Sequence, residues 1–231
     1  MEAIVLAGGL GTRLRPVVED LPKSLAPVAG RPFLAILLEN LARQGFTSVV
    51  LSVGYKHGLV QSAVGDAFAG LRIRYAVEDQ PLGTGGAIRF AARLCSESEL
   101  FVLNGDTWVD LDFGAMRAAH RVSDSRLTVC TVRVADAGRY GAVRVDGNRI
   151  AGFEEKGKAG SGEINAGIYA LPRDLLEGMG LPQVFSFERE VLEGRLDELR
   201  PVTFLTSGFF IDIGVPDDYA RAQSVFAGRG L

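Results

Sequence analysis

The chain has 231 residues, 47% of them hydrophobic and 23% charged, with a formal net charge of −3; a chain of this kind buries one large globular core, or a core with an appended lobe. The acidic balance argues against nucleic acid or an anionic membrane as the main partner, and no apolar run is long enough to span a bilayer. The two cysteines, Cys95 and Cys130, have no C-x-x-C spacing and no nearby histidine, so they read as small buried hydrophobes rather than metal ligands.

Residues 1–10 carry no basic leader and are broken by glycines, so the expectation is a cytoplasmic protein without a signal peptide. Ile4 and Val5 mark a buried first strand. It empties into Gly8-Gly9-Leu10-Gly11-Thr12-Arg13-Leu14, with Pro22-Lys23-Ser24 soon after. Glycines let backbone N–H groups approach a ligand with no Cβ in the way. Arg13 and Lys23 add positive charge where a triphosphate can lie. The loop does not fit the P-loop pattern and lacks the third glycine of the dinucleotide fingerprint. The second strand, 49–53, also ends in Gly54-Tyr55 rather than an acid, which weakens a nicotinamide oxidoreductase reading.

Further along, Arg31-Pro32 opens a helix through Gln44, stopped by Gly45. Residues 57–68 read as a helix and 73–77 as a third strand. The loop 80–87 then runs into a helix ending near Leu94. Residues 100–103 are apolar throughout, as for a strand buried on both faces, and end in Asn104-Gly105-Asp106. Asp112 caps a helix through Val122, and 127–134 is a fifth strand. This alternation predicts an α/β, Rossmann-like, mostly parallel twisted sheet flanked by helices, with right-handed crossovers. The loops 7–13, 80–86 and 104–106 all follow strands and gather on one sheet edge, where such folds bind ligands.

Past residue 134 the texture becomes mixed α+β. Residues 142–145 and 150–153 flank the hairpin signal Asp146-Gly147-Asn148. A strand at 164–170, a helix led by Pro172 and a helix after the cap Ser186 follow. Strands at 202–205 and 209–213 precede a last helix from Pro216 to Phe226. This half is expected to pack as a lobe over the sheet edge, within a single domain spanning 1–231.

Asp106 ends a buried strand, and Asp212 sits inside the apolar run Phe210-Ile211-Asp212-Ile213-Gly214. A charge in such a strand is costly unless paired or metal-bound. Two such aspartates beside a phosphate loop suggest one shared site for a hard cation such as Mg2+. Phe153-Glu154-Glu155-Lys156 and Asn165-Ala166-Gly167-Ile168-Tyr169 offer carboxylate, ammonium and amide groups suited to sugar hydroxyls and a phosphate; a solvated hairpin end is the equal alternative for Glu154. Asn165, in a small and apolar strand, needs partners. His57 and His120 fall outside every motif and read as surface or packing residues, and Trp108 as packing. Tyr140-Gly141 either brings backbone to a ligand or simply turns the chain.

Taken in order, these motifs resemble the sugar-1-phosphate nucleotidyltransferase family over nearly the whole chain. Within it, residues 82–88, 102–107, 139–141, 185–188 and 210–219 are most similar to the branch that transfers GMP to a heptose 1-phosphate. Mannose-1-phosphate guanylyltransferases and N-acetylmuramate-1-phosphate uridylyltransferases are the nearest rivals. The resemblance implies a nucleotide-diphospho-sugar transferase (GT-A-like) fold with a nucleotide-binding core at 1–134 and a sugar-phosphate-binding part at 135–231. Its implied substrates are GTP and a sugar 1-phosphate; a homo-oligomer is compatible with it. Base and ribose would be held by Leu6, Ala7, Gly8, Gly9, Gly11 and Thr12, with Gln80, Gly83, Thr84 and Gly85. The guanine N1–H and N2–H edge would meet Glu78 or Gln80. Arg13 and Lys23 would hold the triphosphate, and Asp106 and Asp212 a Mg2+ ion. The sugar phosphate would fall to Asn104, Gly105, Gly141, Glu155, Lys156, Asn165 and Gly167. One departure is Gly157 after Glu155-Lys156, where many relatives have proline. A catalytically silent regulatory paralogue is the non-enzyme alternative; it is disfavoured because Arg13, Lys23, Asp106 and Asp212 are all present.

Overall fold

A computed structural model describes residues 1–9, 14, 18, 21–154 and 160–229. Its centre is strand β1 (Glu2–Leu6), in which Ala3, Ile4 and Val5 are fully buried. Parallel strands flank it on both sides: β2 (Ser48–Val53) on one and β4 (Glu99–Asn104) on the other, with β3 (Leu71–Val77) beyond β2. The chain therefore moves outward to β3 and returns across β1 to β4. That reversal leaves a crevice at the carboxyl ends of β1 and β4, the switch point of an open α/β sheet.

Alternation along the strands sends side chains to two cores. Ile4, Val50 and Val102 face one side, where they meet Ile88 and Ala91 of helix α3 (Gly83–Ala92). Val5, Leu51 and Leu103 face the other, against helices α1 (Phe33–Arg43) and α4 (Phe113–Val122). Phe46, Phe101 and Phe113 form an edge-to-face triangle there, with ring centroids 5.1–5.5 Å apart. Phe113 is only 1% exposed. Phe113→Ala is therefore expected to cost about 3–5 kcal/mol, read as a fall in the urea midpoint at unchanged slope; a loss under about 1 kcal/mol would mean that the triangle is not tightly packed.

The second half builds on the same sheet. Strand β9 (Gly162–Pro172) lies antiparallel between β4 and β6 (Thr128–Val134), and β10 (Val202–Thr206) runs parallel to β6. The hairpin β7 (Val143–Asp146) and β8 (Arg149–Phe153) completes that edge, and the two-residue strand Ala67–Phe68 closes the opposite one. Strand β5 (Thr107–Val109) leaves this ten-stranded sheet and pairs antiparallel with β11 (Phe210–Asp212). Helix α5 (Leu196–Leu199) precedes β10, and helix α6 (Pro216–Arg229) ends the described chain. Among the described residues, no helix is long and apolar enough to cross a membrane.

Three local expectations change. The helix read over 57–68 is α2 (His57–Val64): Gly65, at φ +72°, stops it, and 67–68 turns back as a strand. Pro172 does not lead a helix. It is the last residue of β9, and the turns after it pass Gly178 and Gly180, both at positive φ. The mixed half extends the sheet rather than only overlying its edge, because β9 supplies the antiparallel partner that β4 needs. Ser186 does cap a helix, its Oγ accepting from Arg189 N, but the turns are wound as a π-helix, Phe187–Glu193. Cys95 and Cys130 are buried free thiols, and burial pushes both up to about 12.

Candidate active site

A cavity of about 950 Å³ opens at the carboxyl ends of the parallel strands. Leu6, Gly8 and Gly9 line it from the first loop, and Asn104 and Asp106 from the fourth. Glu78 follows β3, Gly83 and Thr84 open α3, and all three face the same space. So eight of the expected site residues share one cavity. Close approach requires glycine at 105, where a Cβ would lie 2.6 Å from the Leu6 carbonyl oxygen.

The other expected residues are placed differently. Ala7 is buried behind the wall, its N–H donating to Ser52 O at 2.8 Å. Gln80 is exposed and not part of the lining. Gly85 is buried, its N–H donating to Phe185 O at 3.0 Å. Asn165, half-buried, finds its partners within its own strand: its Nδ2 donates to the Tyr169 hydroxyl and its Oδ1 accepts from Gly167 N, both at 2.9 Å. These bonds span the register shift in β9, where Gly167 at φ +70° presses on the Asn104 side chain and leaves no room for a Cβ. Gly141 sits in the turn before β7, off the cavity wall. Gly11, Thr12, Arg13, Glu155 and Lys156 lie outside the described residues.

Lys23 and the two aspartates form one cluster. The ammonium group hydrogen-bonds Asp106 Oδ2 and stands 3.9 Å from Asp212 Oδ1. The β5–β11 ribbon makes this meeting possible: Asp212 pairs with Thr107, and Ile213 N donates to Asp106 O at 2.9 Å. Thr107 Oγ1 donates to Asp106 Oδ1, and Gly214 N to Asp212 Oδ1 at 2.6 Å. Gly214 leaves open the space beside the cluster, where a Cβ would lie 2.6 Å from Lys23 Nζ and 2.7 Å from Asp212 Oδ1. Two half-exposed carboxylates side by side have the donor chemistry of a divalent metal site completed by phosphate and water oxygens.

Two acids on the cavity wall hold the loops. Glu78 accepts from Ser52 Oγ at 2.8 Å on one oxygen and from Leu82 N at 3.0 Å on the other. Glu188 accepts from Thr84 Oγ1 at 2.6 Å, Ser186 Oγ at 2.9 Å and, at 3.5 Å, the buried Tyr169 hydroxyl. Burial, then the Glu188 charge, pushes the Tyr169 phenol well above its usual range, so it stays a donor. Glu188 and the lining residues Tyr55, His57 and Asp79 were not among the expected site residues. The last three follow the ends of β2 and β3, so the strand-end rule that picked the other loops reaches them too. Glu188 gives no local signal, because a tertiary contact brings it in. His57 lines the cavity with its Nδ1 3.3 Å from Gly54 O, whereas His120 is buried against Thr128 Oγ1.

A family model described as nucleotidyl transferase matches residues 2–227. This chain belongs to that family. The transferase is 41% identical, over 96% of its length and 97% of the other protein, to a D-glycero-alpha-D-manno-heptose 1-phosphate guanylyltransferase of Aneurinibacillus thermoaerophilus. It is 34% identical to a mannose-1-phosphate guanylyltransferase of Mycobacterium tuberculosis, spanning 64% of that longer chain. The crystal structure of HddC from Yersinia pseudotuberculosis complexed with GMP-PN superposes with a TM-score of 0.86 at 37% identity, covering 97% of this transferase and 99% of that chain. A putative glucose-1-phosphate thymidylyltransferase from Bacillus anthracis, at 23% identity and a TM-score of 0.87, shares the fold. The transferase is thus an α/β enzyme acting on small molecules, in a family that generally uses a divalent metal.

Proposed function

We propose that this transferase moves GMP from GTP to D-glycero-alpha-D-manno-heptose 1-phosphate, releasing pyrophosphate. The observation that carries the reaction class is the Lys23–Asp106–Asp212 cluster at the mouth of a glycine-lined cavity. The choice of sugar and base rests on the near full-length match to enzymes with that printed activity.

The acceptor oxygen of a sugar 1-phosphate is already anionic, so its attack on the α-phosphorus needs no general base. What remains is positioning and neutralisation of charge. Asp106 and Asp212 hold the metal, proposed as Mg2+, which when bound offsets charge on the reacting phosphates. Lys23, with Arg13, meets the departing pyrophosphate. Gly8 and Gly9 present backbone to the nucleotide, while Gly141, Asn165, Glu155 and Lys156 serve the sugar phosphate.

Base choice falls to Glu78 rather than the exposed Gln80. Among the described residues each Glu78 oxygen has one protein donor, which leaves a lone pair on each for the paired N1–H and N2–H donors of guanine. Glu78→Gln replaces one acceptor by a donor, and is expected to lower the GTP:UTP preference by about 30-fold. An unchanged ratio removes Glu78 as the base reader. The reaction itself is tested with four nucleoside triphosphates against heptose, mannose, glucose and N-acetylmuramate 1-phosphates, scored by pyrophosphate release. A better rate with mannose 1-phosphate or with UTP overturns the substrate assignment.

A further inference from the structure

Asp218, in the first turn of α6, is a buried carboxylate for which the reaction scheme has no use. Its side chain is 4% exposed, a position tolerated only with compensating partners. Its Oδ2 accepts from Arg139 Nη2 at 2.7 Å and from the Tyr140 hydroxyl at 3.3 Å, and its Oδ1 lies 3.5 Å from an Arg221 guanidinium nitrogen. Arg139 also lies over the Tyr140 ring, 5.6 Å from its centroid.

Arg139 and Tyr140 belong to the turn that carries Gly141. That turn is closed on itself: Tyr140 N and Gly141 N both donate to Ala137 O, at 3.0 and 2.9 Å, with Gly141 at φ +87°. Among the described residues, the turn has two anchors to residues 210–218, and Tyr140 takes part in both. One is Asp218. The other is the edge-on packing of Tyr140 against Phe210, with centroids 5.4 Å apart. Phe210 lies two residues before Asp212 in β11. The stretch is itself pinned, since Phe210 pairs with Val109 and Tyr219 donates to Pro27 O at 2.6 Å. One short piece of chain therefore brings Asp212 to Lys23 and grips the Gly141 turn.

We propose that Asp218 is a positioning residue for the sugar 1-phosphate: by holding Arg139 and Tyr140, it sets the Gly141 turn at a fixed distance from Asp212. The role rests on the assignment of Gly141 to the sugar phosphate made above. It separates the two substrates, because among the described residues the side-chain partners of Asp218 are Arg139, Tyr140 and Arg221, and none of them lines the cavity. Asp218 acts through the turn and touches neither substrate.

The test is steady-state kinetics with each substrate varied at saturation of the other, on the wild type, Asp218→Ala, Asp218→Asn and Tyr140→Phe. Asp218→Ala is expected to raise KM for the sugar 1-phosphate about tenfold and leave KM for GTP within about twofold. Asp218→Asn keeps one acceptor oxygen for Arg139 and should recover most of the loss. Tyr140→Phe removes the 3.3 Å bond alone and should show a smaller shift in the same direction. Should the alanine variant fail to fold, the other two carry the comparison. A parallel rise in both KM values, or no change in any variant, overturns the role of Asp218. A wild type that releases no pyrophosphate with any pair of substrates instead overturns the functional reading beneath it.

Discussion

Asp106→Asn is expected to lower turnover on the order of a thousandfold while the protein keeps its fold. The substitution is nearly isosteric and preserves an oxygen that accepts from Thr107 Oγ1. The backbone tie from Ile213 N to Asp106 O is untouched, and the carboxylate is 30% exposed, so little packing is at stake. What is lost is a full negative charge where the Lys23 cation faces two carboxylates. A metal held by Asp212 alone would sit loosely, and a displacement that depends on position and charge then slows steeply. The measurement is pyrophosphate release at saturating divalent metal, with thermal unfolding as the control for folding. A near-native rate would end the metal assignment.

Lys23→Met is the second change with a large expected effect, and its two consequences run in opposite directions. Turnover should fall on the order of a hundredfold, because the departing pyrophosphate loses a cation. Binding of Mn2+ to the nucleotide-free protein should become about tenfold tighter or more, because an ammonium between the two carboxylates opposes any divalent ion seeking the same oxygens. Lys23 is 12% exposed and already bonded to Asp106, so a metal must displace it. Calorimetric titration of Mn2+ into both proteins reads the difference. Weaker binding in the variant would mean that Lys23 assists the metal rather than standing in its place.

The residues spell out the parallel half well, and the reason is local. Strands β1, β2 and β4 are apolar runs bounded by glycine or turn residues, so their character survives without knowledge of neighbours. The cavity follows from the rule that ligands gather at strand ends, which places Gly8, Gly83 and Asp106 together before any contact is known. Asn165 was legible as an amide in need of partners, and Tyr169 with Gly167 supplied them. Pro172 failed for a different reason. A proline fits the start of a helix and the end of a strand equally well, and only pairing with Glu99 across β4 decides between them. Helix α2 ends early because Gly65 turns to φ +72° there, a backbone conformation that glycine reaches without steric cost and a helix cannot continue through. Glu188 and Asp218 were invisible as site and support, because their partners are brought in by the tertiary fold rather than by sequence proximity.

The order of strands in the sheet also bears on how the chain is made. β4 lies in the middle of the sheet but is synthesised well before β9, the strand that covers its free edge. Until β9 emerges from the ribosome, the nascent core exposes an apolar, unpaired strand, the kind of edge on which chains associate wrongly. The proposed metal site matures later still, since its second carboxylate, Asp212, arrives on β11. A chain stalled or cleaved after β6 would therefore hold the glycine loop and Asp106 but no competent site, and it would be sticky. These non-local closures favour slow folding, with the last fifth of the polypeptide completing both the sheet and the chemistry.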